Sequence, residues 1–152
     1  MKKLFKIVGL AVLIFGLIQL IPIDRTKKPI NKSENFTDIY KTPKNIENSL
    51  RKACYDCHSN ETVYPDYAYI APISWSIQEH INAGRGSLNF SIWATFNKDL
   101  KESMLKNTIG DLKENRMPIR GYTVYHPEAN LSKQEIDELI SYFENILETG
   151  NY

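Results

Sequence analysis

Apolar positions fall into one continuous run near the start of the chain and several later stretches with helical spacing. The run extends from Ile7 to Ile23 and is interrupted only by glycines, Gln19 and Pro22. It follows a lysine-rich start, and a positive start before an apolar stretch is typical of an export signal. No small-residue cleavage site follows, and the length is near the lower limit of about 17 residues for a bilayer span. We therefore expect residues 1–23 to form an uncleaved signal anchor, a transmembrane segment, rather than a cleaved peptide.

The rest of the chain divides into a polar linker and one domain. Residues 24–40 contain few apolar side chains, so we expect a tether between the membrane and the domain. Residues 41–150 have the length of a single domain. Because lysines that flank a membrane segment stay in the cytoplasm, we expect the domain on the outer, periplasmic side of a bacterial cytoplasmic membrane.

Helix signals begin at residue 42. Thr42 and Pro43 suit the N-cap and the first position of a helix that leads into Cys54. A second helix is predicted from Ser74 to Ala83, with Gly84 ending it.

The second half of the domain carries the strongest periodicity. Apolar residues recur at helical spacing from Lys98 to Glu114 and predict a core-facing stripe. Ser132 and Glu135 form a capping box before the apolar stripe of a last helix. No strand-like alternation is present, so the expected fold class is all-α.

The two cysteines of the chain both lie in the sequence Cys54-Tyr55-Asp56-Cys57-His58. This C-x-x-C-H pattern is the attachment signal for a c-type haem. Cysteines three apart lie about one helical turn apart, so both sulfurs can reach vinyl groups on one porphyrin edge. His58 can then bind the iron as the proximal ligand. The sequence predicts one covalently attached haem c.

Three other uses of this motif compete with haem attachment. A thioredoxin-like pair also uses C-x-x-C but needs a βαβ context, which the pattern does not show. A zinc site needs four ligands, and adjacent Cys57 and His58 cannot easily serve one tetrahedral metal. A structural disulfide gives no reason for the histidine.

The motif and its surroundings resemble a known family. A helix leading into C-x-x-C-H, a late Met-Pro loop and a final amphipathic helix resemble the cytochrome c fold. More closely, residues 43–143 are similar to the bacterial haem-binding domain family of small exported cytochrome c-like proteins. The matching residues are Cys54 to Asn60, Tyr64-Pro65, Ala71 to Trp75, Gly84-Arg85, Leu88 to Trp93, Met117-Pro118, Tyr122 and His126-Pro127. Asp66 departs from the aromatic residue usual in that family. The resemblance implies haem binding and a cytochrome c-like helical domain, but no defined reaction.

Three side chains are candidates for the sixth position of the iron. We favour Met117, because Pro118 pushes it into an extended conformation from which its sulfur can enter a pocket. A thioether ligand raises the reduction potential. His80 would instead give a haem with two histidine ligands, and His126 lies in a polar loop. An open sixth position is the fourth possibility.

The two propionates of a haem also need partners. Arg85 and Arg116 are candidates, because a guanidinium group matches a carboxylate in a fork geometry. Trp75, Asn89 and Trp93 are candidates for donating hydrogen bonds.

Charge and composition limit the function. Without the three lysines of the N-terminal segment, 16 basic residues face 18 acidic ones, which argues against nucleic-acid binding. No acid–base pair or nucleophile–base arrangement stands out. We therefore expect a membrane-anchored one-electron carrier, rather than an enzyme, that exchanges electrons with a redox partner protein. The alternatives are a haem-based sensor or peroxidase-like enzyme with a labile or open sixth position, and a haem-free thiol or metal module.

Overall fold

The computed structural model describes residues 1–152 and contains helices and no strands, which confirms the all-α expectation. Three short 3₁₀ turns, 66–69, 90–95 and 127–129, connect the α-helices. The helices are α1 (Lys2–Ile18), α2 (Phe36–Ile39), α3 (Lys44–Ala53), α4 (Tyr55–His58), α5 (Ile73–Ser87), α6 (Lys98–Lys113), α7 (Arg120–Thr123) and α8 (Lys133–Thr149).

Helix α1 covers 17 residues and is exposed along nearly its whole length. None of the helices combines the length and the apolar character needed to cross a membrane. The expected signal anchor over residues 1–23 is therefore not supported. Helix α1 begins among the lysines of the start and ends at Ile18, before the apolar run is complete.

The core lies where α8 packs against α3 and α6, and it continues to α2 and the 3₁₀ turn at 90–95, which pack against each other. Its fully buried side chains include Leu50, Trp93, Leu139 and Phe143. Phe36 is also fully buried in this cluster, although it lies in the predicted linker. A single aromatic residue in a polar segment gives no periodic signal, so the pattern of the sequence could not place it in the core.

The capping box of α8 forms as predicted. The Glu135 backbone N–H donates to Ser132 Oγ at 3.2 Å, and Ser132 N donates back to Glu135 Oε2 at 2.8 Å. Lys52 on α3 donates to the other carboxylate oxygen of Glu135 at 2.5 Å, so the cap also joins two core helices. The start of α3 is shifted by one residue: Pro43 is its N-cap, and the Thr42 hydroxyl instead contacts Tyr142 Oη at 2.9 Å.

Helix α5 is longer than predicted and continues through Gly84 and Gly86 to Ser87. A Cβ at position 84 would lie 2.6 Å from the carbonyl oxygen of Cys57. Gly84 is therefore a point of close backbone approach between α5 and α4, and not a helix end. Glycine serves both purposes, which is why the sequence alone misplaced this boundary.

Candidate functional site

The C-x-x-C-H motif spans the junction between α3 and α4. Helix α3 ends at Ala53, and Cys54 leaves helical geometry with φ −126° and ψ −37°. The backbone N–H groups of Cys57 and His58 both donate to the Cys54 carbonyl, at 3.2 and 2.9 Å. The chain therefore makes one tight turn here, with the two thiols a turn apart and His58 directly after them.

Both cysteines are free thiols in a partly buried setting. Burial raises the pKa of Cys54 to about 12 and that of Cys57 to about 11. A thioredoxin-like pair works through a lowered thiol pKa, so this environment argues against that alternative. No group of three or more His, Cys, Asp or Glu side chains is arranged to hold a metal ion.

The imidazole of His58 is held by the backbone of the segment after α5. Its Nδ1 lies 3.1 Å from the carbonyl oxygen of Leu88. Because a carbonyl only accepts, Nδ1 carries the proton and Nε2 keeps its lone pair. Burial lowers the pKa of His58, which favours the neutral ring. A neutral imidazole with a free Nε2 is the form that binds iron.

The segments on either side of this histidine are locked together. Asn89 Nδ2 donates to Asn60 Oδ1 at 3.0 Å, and the Asn60 N–H donates to Ser91 Oγ at 2.9 Å. Arg85 Nε donates to the Ser59 carbonyl at 2.7 Å. These bonds fix the loop after the motif against the loop that carries the Leu88 carbonyl, so His58 is held in one orientation.

Two adjoining cavities surround the motif. The first, which we call the central cavity, has a volume of about 380 Å³ and is bordered by Cys54, His58 and Met117. Apolar residues of the core helices complete its walls, among them Leu50, Met104, Leu112, Leu139 and Phe143. The second, the side cavity, has a volume of about 200 Å³ and is bordered by Cys57, His58 and Met117. His58 and Met117 thus border both spaces, and one cysteine borders each. The charged residues Lys106, Asp111 and Arg116 also border the central cavity. Apolar walls that carry some placed polar groups are typical of a cofactor site, so these residues fit a haem.

The three candidates for the sixth iron ligand are in different settings. Met117 lies in a non-helical segment between α6 and α7, as predicted, and its side chain is 36% exposed. His80 is exposed on α5, borders the side cavity, and has its Nδ1 at 2.8 Å from the Ser76 carbonyl. His126 borders neither of these two cavities, and both of its ring nitrogens have partners, Tyr67 Oη at 2.7 Å and a Glu128 carboxylate oxygen at 3.1 Å. Its nitrogens would have to leave both partners to bind a metal.

The predicted propionate partners Arg85 and Trp75 border neither of these cavities. Besides Ser59, Arg85 donates to Thr62 Oγ1 at 3.0 Å. The indole N–H of Trp75 donates to the Ile21 carbonyl at 3.0 Å, so it joins α5 to the segment after α1. Their roles in the structure are contacts within the protein, and the propionate role stays a prediction.

Two other propionate candidates, Arg116 and Trp93, lie in different settings. Arg116 borders the central cavity, where it pairs with Asp111 at 2.7 Å and with Glu114. Trp93 is fully buried and donates to Tyr40 Oη at 3.1 Å. Of the five candidates only Arg116 borders either cavity, and its guanidinium already pairs with two carboxylates, so the propionate role stays a prediction for all five.

Sequence reasoning missed two features of the site. The Leu88 carbonyl that holds His58 is a backbone atom, and no residue type announces it. Tyr122 Oη donates to Asp56 Oδ2 at 2.7 Å, which joins the interior of the C-x-x-C-H motif to α7. The only hint of that bond was the polar residue between the two cysteines.

The comparisons with known proteins agree with this geometry. No curated protein and no solved structure matches the chain. The family model described as "Haem-binding domain" matches residues 13–145, which include the motif, both cavities and most of α8. The chain belongs to the haem-binding domain family.

Proposed function

We propose that this protein is a c-type cytochrome that binds one haem through thioethers at Cys54 and Cys57 and carries single electrons. In this proposal His58 and Met117 are the axial ligands. The observation that carries the proposal is that these two side chains border the same two cavities, each of which also contains one of the thiols.

The residues of the chain have distinct tasks in this proposal. The hydrogen bond from His58 Nδ1 to the Leu88 carbonyl makes Nε2 a stronger donor to a metal and fixes the ring. The apolar residues of α3, α6 and α8 would pack against the haem, and the Met117 sulfur would favour the reduced state. When bound, the iron supplies one-electron exchange. No side chain of the site needs to move a proton, which suits a carrier.

We further propose that the haem domain lies outside the cytoplasmic membrane of a bacterium and exchanges electrons with a partner protein. The support is the lysine-rich start followed by an apolar run, together with the fact that bacteria attach haem covalently on that side of the membrane. Cell fractionation followed by haem staining checks the location. Haem in the cytoplasmic fraction alone would contradict it.

The test of covalent attachment is an acid–acetone extraction of protein made with the c-type haem maturation machinery. The wild-type chain should keep its haem after denaturation, because thioether bonds survive this treatment. The double variant Cys54→Ala, Cys57→Ala should lose all of it. Haem that extracts freely from the wild-type chain would show that the thioether proposal is wrong.

One observation favours a second function. Met117 is 36% exposed, and its backbone N–H is 3.4 Å from the Asp111 carbonyl, a long hydrogen bond. A weakly held loop would make the sixth position labile, as a haem-based sensor or a peroxidase-like enzyme requires. The absorption spectrum of the ferric protein separates the two: a low-spin, six-coordinate haem supports the carrier, and a high-spin, five-coordinate haem supports the sensor or enzyme.

A further inference from the structure

A third cavity lies on the outer side of Cys57. It has a volume of about 290 Å³ and is bordered by four tyrosines, Tyr64, Tyr67, Tyr122 and Tyr125, so we call it the tyrosine-lined cavity. It shares Cys57, His80, Ile119 and Tyr122 with the side cavity, but neither His58 nor Met117 borders it. The space therefore adjoins the side cavity beside the proposed attachment point of the haem, and the two proposed iron ligands lie outside its lining.

The charge of this cavity excludes ionic ligands. No lysine or arginine lines it. Its one carboxylate, Asp56, already accepts hydrogen bonds from Tyr122 Oη at 2.7 Å and from the Val63 N–H at 2.9 Å. A negative ligand would find no lysine or arginine, and a positive ligand would find a single carboxylate that already accepts two hydrogen bonds. The walls suit an uncharged molecule.

Two polar atoms of the cavity lining, the Tyr64 hydroxyl oxygen and His80 Nε2, have no hydrogen-bond partner within the protein. The hydroxyl of Tyr64 makes no hydrogen bond within the protein, and burial raises the pKa of Tyr64, so the hydroxyl keeps its proton and is a donor. His80 has Nδ1 at the Ser76 carbonyl, which leaves the lone pair of Nε2 as an acceptor. One donor and one acceptor on the same wall match a ligand hydroxyl group.

Size and shape indicate a single aromatic ring. An apolar cavity of about 150 Å³ is known to accept benzene, so about 290 Å³ accommodates one ring with small substituents. Tyrosine side chains offer flat faces against which an aromatic ligand packs better than an aliphatic one. Ile77 and Ile81 of α5 add apolar surface to the wall.

We propose that the tyrosine-lined cavity binds a small uncharged phenol, with its hydroxyl group at Tyr64 and His80. This inference rests on the proposed function, because His80 is free to accept only if it is not itself the sixth ligand of the iron. It adds that a small molecule, and not only a protein, contacts the haem-bearing segment, directly beside Cys57.

Isothermal titration of the full-length, haem-loaded protein with phenol tests the proposal, with benzoate as the charged comparison. Phenol should bind saturably, and benzoate should not bind at the same concentrations. Tyr64→Phe removes one hydroxyl and should weaken phenol binding about threefold to tenfold, the effect of one hydrogen bond. Tyr69→Phe is the matched control: Tyr69 lies in the same segment but does not border the cavity, and its affinity should equal that of the wild type.

The remaining variant, His80→Ala, distinguishes failure of this inference from failure of the proposed function. It should weaken phenol binding and leave the haem spectrum unchanged. A changed axial spectrum in His80→Ala would identify His80 as an iron ligand and overturn the assignment of Met117 as well. Equal phenol affinity in Tyr64→Phe and wild type, or no phenol binding in a protein with a normal haem spectrum, would overturn the cavity proposal alone.

Discussion

The close approach of α5 to the haem motif predicts that two neighbouring glycines respond in opposite ways to alanine. At Gly84 a Cβ would lie 2.6 Å from the Cys57 carbonyl oxygen and 3.0 Å from its carbonyl carbon, and neither atom can rotate away. At Gly86, two residues further along the same helix, nothing lies within 4 Å of the added atom. Gly86 therefore provides the matched control for Gly84.

The magnitude follows from two opposing effects. Alanine in place of glycine inside a helix stabilises by about 0.5–1 kcal/mol, and this gain is the whole effect expected for Gly86→Ala. Overpacking typically costs about 1–3 kcal/mol, and the fixed backbone of Cys57 puts Gly84→Ala at the upper end. Gly84→Ala should therefore be less stable than the wild type by about 1–2 kcal/mol, and less stable than Gly86→Ala by about 2–3 kcal/mol.

Urea unfolding of the haem-loaded proteins, followed by circular dichroism, measures this difference. For a chain of this size 1 kcal/mol corresponds to about 2–4 °C in melting temperature, so thermal scans should show the same order. Because the displaced atoms belong to the motif itself, Gly84→Ala should also reduce the yield of attached haem. Equal stabilisation of both variants would show that α5 and α4 are further apart than the structure has them.

Two further predictions concern the sixth ligand and the dependence on pH. Met117→Ala should leave haem attachment intact, lower the reduction potential and let carbon monoxide bind the reduced protein readily. Met104→Leu, in the wall of the same cavity, is the control and should change none of these properties. An absorption spectrum that Met117→Ala leaves unaltered would eliminate Met117 as a ligand. The hydrogen bond from Lys52 and the bonds within the α8 cap hold the pKa of Glu135 at about 2 in the folded state, below its ordinary value of 4.5. The stabilisation is therefore complete above about pH 4.5 and is lost as the pH falls towards 2. The stability of Glu135→Gln, measured by urea unfolding, should fall less over that interval, and identical profiles would refute the assignment.

The sequence predicted well those parts of the structure whose conformation depends on residues close together in the chain. The motif places two thiols and an imidazole on one turn because its spacing equals a turn, and the capping box of Ser132 and Glu135 begins α8 because both halves of the bond lie in the same four residues. Pro118 likewise keeps Met117 out of a helix through its own ring.

The parts that escaped prediction depend on which segments meet. A glycine such as Gly84 is typical of a helix end. Here it lies inside α5, because the backbone of α4 approaches too closely for a side chain. Arg85 and Trp75 donate to the Ser59 and Ile21 carbonyls, contacts that no local pattern encodes, and their propionate role stays a prediction. The same reasoning applies to Phe36, whose burial requires the 3₁₀ turn at 90–95.

The acceptor that orients His58 is a main-chain oxygen, and this determines which substitutions can change the properties of the proposed metal site. Every residue type at position 88 has the same backbone carbonyl. Replacing the Leu88 side chain should therefore not change how strongly the His58 imidazole donates to a metal. Changes that move the chain path are different. The hydrogen bond from Asn89 to Asn60 fixes the position of the Leu88 carbonyl. Removing that bond would let the His58 ring rotate without replacing either proposed iron ligand. The reduction potential should therefore depend on the geometry of the two loops that Asn60 and Asn89 join. Variants at positions 60 and 89 should change the potential while both proposed ligands stay in place.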